Sequence, residues 1–241
     1  MSEVERIKEL IKSRGYWEVD IRPDEERRDR FESISDCMNK VKECVVLIRG
    51  WDYPHFGRHP PPYPMNRRIE SYVDFGSNKE FWTMFLSGHF YHVFACEEDW
   101  LSNSAAVLEK ISGRPQQINI EPRTVLGFIM TLYSYTEIFE FAIRLSQKGI
   151  LGNKARIQIT LHGMRDRTLT SFDRRRHIWN EYRCRENTIP KDIRVNVDDL
   201  ISHGHEIAVD STISVYELFT WLDVKREIIV EAQKTFLERK F

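Results

Sequence analysis

The sequence predicts an α+β fold: one mixed domain in which a buried helix crosses a sheet of mixed strands. Three observations carry this expectation. Val125, Leu126, Phe128, Ile129, Leu132, Ile138, Phe139, Phe141, Ala142 and Leu145 cover most of a helical circumference, which places that helix inside the fold. Ala155, Ile157, Ile159 and Leu161 alternate with Arg156, Gln158, Thr160 and His162, as a strand with one wet face does. The length of 241 residues suits one domain, with a softer division near residues 50–65 as the alternative.

The elements follow in chain order. Val4, Ile7, Leu10 and Ile11 recur at helical spacing ahead of Gly15, predicting a helix over 2–13. Tyr16 to Ile21 alternates and reads as a strand that Pro23 closes. Asp24 is placed to cap a long helix carrying Phe31, Ile34, Met38 and Val41. Cys44 to Ile48 runs apolar without a break, the mark of a central strand. Five prolines between 50 and 65 then break the regularity; such a loop is either functional or a rigid connector wrapped by Trp51 and Tyr53. Residues 78–86 read as a short helix, 90–96 as a strand, 101–111 as a helix and 118–120 as a brief strand. The central helix is expected over 124–148, with Gly149 at its end. A charged turn at 163–167 leads to a basic helix around 171–186, a strand at 193–197 and a final helix over 214–238.

Composition narrows the class. With 41% apolar and 30% charged residues the chain is globular rather than disordered. No apolar run is long enough to span a bilayer, and Met1 to Arg6 lacks the apolar stretch of a signal peptide. A cytoplasmic location without a membrane partner is therefore expected. Cys37, Cys44, Cys96 and Cys184 form no C-x-x-C pair and are expected to be free thiols. The net charge of −1 gives no global field. Its distribution is uneven: residues 154–194 hold 11 Lys and Arg against 5 Asp and Glu, while 195–241 hold 5 against 9.

The strong catalytic and nucleotide-binding motifs are missing from the sequence, including the phosphate loop, G-x-G-x-x-G, G-x-S-x-G and H-E-x-x-H. No cofactor is expected. Histidines fall in pairs (His55 and His59, His89 and His92, His203 and His205), but tetrahedral zinc needs four ligands together, so no metal site is predicted. His203-Gly204-His205 is read as an extended segment.

Two groups of residues carry the functional expectations. Arg49, Asp52, His55, Glu137 and Glu140 form a candidate pocket. Glu137, Glu140 and Arg144 share one stripe of the buried helix, where charges must be paired or face a cleft. Either a core ion pair or an acid/base site fits that pattern. The second group is basic: Arg165, Arg167, Arg174, Arg175, Arg176 and Arg183, with Trp179 and Tyr182 among them. Guanidinium forks suit phosphate oxygens and aromatic faces suit bases. The same residues suit an acidic protein surface.

Three segments also resemble a known family. Arg49-Gly50-Trp51-Asp52-Tyr53-Pro54-His55, Phe81-Trp82 with Ser87-Gly88-His89-Phe90, and Thr136-Glu137-Ile138-Phe139-Glu140-Phe141 are similar to an uncharacterised prokaryotic family. That family is associated with ATP-binding regulators carrying a Schlafen-type AlbA domain. The resemblance implies a nucleic-acid or defence-linked setting and brings no catalytic residue with it; no separate AlbA region is visible in this sequence. The expected function is a non-catalytic accessory subunit whose partners are another protein, DNA or RNA. The alternatives are a hydrolase or nuclease with scattered Glu, His and Arg residues, and an oligomerising scaffold.

Overall fold

The computed structural model describes residues 1–25, 29–57, 60–102, 120–172 and 180–239. Its frame is a seven-stranded sheet in the order β2-β3-β4-β5-β1-β7-β9. The strands are β1 (Tyr16–Pro23), β2 (Tyr63–Met65), β3 (Arg68–Phe75), β4 (Asn78–Phe85), β5 (Phe90–Ala95), β7 (Lys154–His162) and β9 (Thr188–Asn196). Every neighbouring pair in it is antiparallel. Among the described residues parallel pairing is confined to two short strands, β6 (Val125–Gly127) and β8 (Thr168–Thr170), so the α+β class holds while the mixing of strand directions is slight. Strands from both sides of the 50–65 loop pair within this one sheet.

Four helices cluster on the inner face: α2 (Ile34–Cys44), α3 (Phe128–Gln147), α4 (Val197–Leu218) and α5 (Arg226–Leu237). Helix α3 is the buried one the sequence predicts; Leu132, Tyr135, Ile138, Phe139, Phe141, Ala142 and Leu145 have no exposed surface. Trp17 of β1 meets Tyr135 edge to face at 5.3 Å, and Phe90 of β5 lies 4.7 Å from Phe141. Helix α4 comes close to α3 because Gly204 has no side chain: a Cβ there would sit 2.8 Å from Ile143 Cδ1. Tyr133 stacks on Phe236 at 3.8 Å and ties α5 to α3. On the other face, α1 (Glu3–Lys12) inserts Ile7 and Ile11 against Phe81 and Val93. Beyond α1 this face is polar, carrying Glu18, Asp20, Tyr91 and His162. Among the described residues no helix is long and apolar enough to cross a membrane, and all four cysteines are free and buried.

Several expected elements differ. Residues 78–86 form strand β4 and its exit, because both of its faces are covered: Phe81 by α1 and Trp82 by the 50–56 loop. A doubly buried strand loses alternation and is hard to tell from a helix. Residues 44–48 are not a central strand. Cys44 ends α2, and Val46 makes only an isolated bridge to Tyr53. Helix α2 begins at Ile34 with Ser33 as its cap, its Oγ accepting from Asp36 N, rather than at Asp24. The strand expected at 193–197 runs over 188–196. The helix expected over 214–238 is two helices, parted by a turn with Thr220 at φ 70°. His203 and His205 therefore lie on α4 and not on an extended segment. Of the basic helix around 171–186, residues 180–186 are non-helical and 173–179 fall outside the described residues, as do 103–119 with most of the predicted helix 101–111.

Candidate functional site

Two places collect polar side chains: an open basic groove at one end of the sheet and a small cleft between the sheet and α3. The groove forms where the turn after α1 meets the turn after β7. Gly163 has φ 72°, and a Cβ on it would lie 3.2 Å from Gly15 Cα, so only glycine lets the two turns approach this closely. Gly15 is equally constrained, since a Cβ there would meet Arg167 Nη2 at 2.1 Å.

A buried carboxylate pins these turns together. Asp99, in the 3-10 turn Glu97–Trp100 that follows β5, accepts from Gly15 N at 2.8 Å and from Arg123 N at 2.6 Å. Arg167 closes a two-point fork on it, Nη1 to Oδ1 at 2.9 Å and Nη2 to Oδ2 at 2.5 Å. Two further Arg167 donors go to the carbonyls of Gly163 and Val125, each at 2.7 Å. Arg167 has no exposed surface. Its buried, ion-paired guanidinium cannot meet a phosphate, which corrects the expectation that it belongs to a binding face.

What this knot holds up is a groove of about 460 Å³ lined by Lys12, Arg14, Tyr16, Arg123, His162, Arg165, Asp166 and Asn187 among others. None of Lys12, Arg14, Arg123 and Arg165 has an ion-pair partner among the described residues. Against these four cations stands one lining carboxylate, Asp166. Arg14 is braced over the Trp100 ring at 3.9 Å, and the Arg123 guanidinium bonds the Ser13 carbonyl. Tyr16 and His162 face each other across β1 and β7 with their rings stacked at 4.3 Å. Of the predicted basic residues, Arg165 thus lines the groove. Arg183 is exposed and paired with Glu181. Tyr182 stacks on Trp221 at 5.0 Å and is not part of the groove lining. Arg174, Arg175, Arg176 and Trp179 lie outside the described residues.

The cleft is different in kind. It is lined by Arg49, Trp51, Asp52, Tyr53, Lys79, Glu80, His92, Phe94, Glu97 and Glu137, so of the candidate pocket Arg49, Asp52 and Glu137 meet here, while the histidine in the lining is His92 and not the expected His55. Arg49 grips Glu137 at two points, Nε to Oε1 at 3.0 Å and Nη2 to Oε2 at 2.8 Å, with Glu97 Oε1 3.6 Å away. Burial pushes the Glu137 pKa up to about 7 against the pull of Arg49. Burial likewise pushes Glu98, next to this cleft, up to about 7, although Gly127 N donates to it. Glu80 goes the other way. Burial alone would raise it, but His92, Trp51 Nε1 and His55 N surround it and hold its pKa below the usual carboxylate value. Asp52 shapes the loop, accepting from Phe56 N at 2.9 Å. It also bonds His55, whose pKa it holds high although burial opposes the charge.

Glu140 does not join this cleft. It bonds Arg144 Nε at 2.7 Å and His205 Nε2 at 2.9 Å, so the two glutamates serve different partners. Among the described residues no group of three or more His, Cys, Asp or Glu is arranged to hold a metal ion.

No known relative speaks to either site. No protein-family model matches the chain, and neither the curated proteins nor the solved structures yield a match.

The residues that sequence reasoning missed are Lys12, Arg14, Arg123 and Asp99 in the groove, and Tyr53, Glu80, His92 and Glu97 in the cleft. Asp99 lies 68 positions from Arg167, and Glu137 lies 88 from Arg49. No local spacing announces such pairs. The single usable hint was Gly15, which reads as a helix stop and also marks a close approach of backbones.

Proposed function

We propose that this chain is a non-catalytic binding subunit that seats a phosphate-bearing strand, DNA or RNA, in the basic groove. One observation carries the reading: four cations without carboxylate partners converge on a groove whose backbone is locked by the buried Asp99–Arg167 fork. Unpaired guanidinium and ammonium groups on a rigid frame suit phosphate oxygens, because attraction is not offset by breaking an existing ion pair. The Tyr16 and His162 rings add a surface for a base or sugar. The resemblance of the Arg49–His55 and Thr136–Phe141 segments to an uncharacterised prokaryotic family associated with Schlafen-type AlbA regulators implies the same nucleic-acid setting. The hydrolase reading has weaker support, since Glu137 is held by Arg49 and Glu140 by Arg144 and His205.

The test is a titration of fluorescently labelled single-stranded DNA and RNA with the wild-type chain and with a Lys12→Ala, Arg165→Ala double variant. Saturable binding that the double variant loses supports the proposal. If neither strand binds, and an acidic protein partner is instead lost by the double variant, the groove is a protein-docking surface.

A further inference from the structure

The inner cleft has a chemistry that the nucleic-acid reading does not use. Its lining divides into groups that are already satisfied and groups that are not. Arg49 is engaged by Glu137, and Lys79 Nζ by Asp74 and the Gly76 carbonyl. Glu80 accepts from Trp51 Nε1 and His55 N, with His92 Nε2 2.9 Å from its Oε2. Three acceptors are left with neither a hydrogen bond nor a tight ion pair. Tyr53 Oη and His92 Nδ1 are buried without a partner among the described residues; the two side chains are 5% and 1% exposed. His92 Nε2 and Glu137 Oε2, by contrast, lack an aligned hydrogen bond but sit within ion-pair distance of Glu80 and Arg49. Glu97 stands at the mouth, a third exposed, and among the described residues its only ionic contact is Arg49 at 3.6 Å.

These leftovers share one polarity. His92 Nε2 lies 2.9 Å from Glu80 Oε2, and in the tautomer that donates toward that carboxylate Nδ1 presents a lone pair. A phenol oxygen and a carboxylate also accept. The local charge has the matching sign, since Glu80 and Glu97 alone outweigh Arg49 once Arg49 is set against Glu137. Three aromatic rings, Trp51, Tyr53 and Phe94, line the same space, and ring faces attract cations. The room is about 30 Å³, enough for about two water-sized groups. An ammonium group is of that size and carries three N–H donors.

We propose that this cleft is a binding site for the ammonium end of a small aliphatic amine, held by Tyr53 Oη, His92 Nδ1 and the Glu97 carboxylate. The methylene next to the nitrogen lies against Phe94, and the rest of the amine leaves past Glu97 toward solvent. Arg49 reaches only Glu97 among these acceptors, at 3.6 Å, because Glu137 holds it from the helix side. The groove residues Lys12, Arg14, Arg123 and Arg165 take no part, so this site stands or falls independently of nucleic-acid binding.

The experiment is calorimetric titration of the full chain with 1,4-diaminobutane and with n-butylamine, and with 1-butanol as the uncharged match. Both amines are expected to bind saturably in the millimolar range set by their size, and 1-butanol is not. Tyr53→Phe deletes an unpartnered buried hydroxyl, so it should leave the fold at least as stable while weakening amine binding about tenfold. Glu97→Gln, at the exposed mouth, should weaken it by a similar factor. Absence of saturable binding by either amine overturns the proposal. So does equal binding of 1-butanol, or binding that neither substitution weakens, since the amines would then sit elsewhere or be held by apolar contact alone.

Discussion

The basic groove and the inner cleft are built from the same side-chain types and use them in opposite ways. In the cleft, Arg49 is locked to Glu137 and Glu80 is ringed by donors, so the cations are satisfied and acceptors remain. In the groove, Arg167 is locked to Asp99 out of sight. Arg14 and Arg123 bond only the carbonyls of Asp99 and Ser13 and, like Arg165, have no carboxylate partner among the described residues. The lesson is that an arginine's role depends on what already holds it. Arg165 and Arg167 are two positions apart in one charged turn, yet one is exposed and unpaired while the other has no surface at all.

The sharpest way to break that comparison is to treat the two arginines alike. Arg167→Ala strands the buried Asp99 carboxylate and should cost about 3–5 kcal/mol, read as a lower urea midpoint. Arg165→Ala should change stability by less than about 0.5 kcal/mol. Equal effects would mean that the Asp99 fork does not hold the groove together. A loss of similar size, about 3–5 kcal/mol, is expected for Phe139→Ala, because Phe139 is wholly enclosed in α3. Denaturant melts of that variant check the placement of the core.

A smaller effect sharpens the contrast along α3 itself. Burial raises Glu137 to about 7, so between about 4.5 and 7 it is protonated in the folded chain and ionised in the unfolded one. Its contribution to stability is full below that window and is lost as pH rises through it, with a slope of at most about 1.4 kcal/mol per pH unit. Glu140, held low by His205 and Arg144 although burial opposes this, contributes in the opposite sense: its stabilisation is present above the unfolded value and disappears in acid. Glu137→Gln should therefore remove a falling component of the stability profile between pH 4.5 and 7, whereas Glu140→Gln should remove a rising component at lower pH. Melts across pH that show the same sign for both variants would contradict the assignment.

Much of the frame was legible in the sequence. The all-round apolarity of α3 and the strict alternation of β7 each reflect a single physical environment along the whole element. Strand β4 was misread because α1 and the proline loop cover its two faces. The first half of the helical pair, α4, went unseen because Asp198, Asp199, His203, Gly204 and His205 dilute its apolar stripe. The sites were harder still. Arg49 with Glu137 was foreseeable, since a buried carboxylate demands a partner. The convergence of Lys12, Arg14, Arg123 and Arg165 depends on two glycine turns and a buried aspartate brought together by the sheet. A basic count over 154–194 took in only Arg165 of the four groove cations and gave no means to separate Arg165 from Arg167.

The groove cations without carboxylate partners should set the salt dependence of strand binding. If Lys12, Arg14, Arg123 and Arg165 each neutralise a phosphate, log Kobs for a single strand should fall with log salt at a slope of about −3, roughly −0.7 per contact. The Lys12→Ala, Arg165→Ala double variant should flatten that slope by about 1.4 without altering sequence preference. An unchanged slope in the double variant, or no binding at about 50 mM salt, would contradict it.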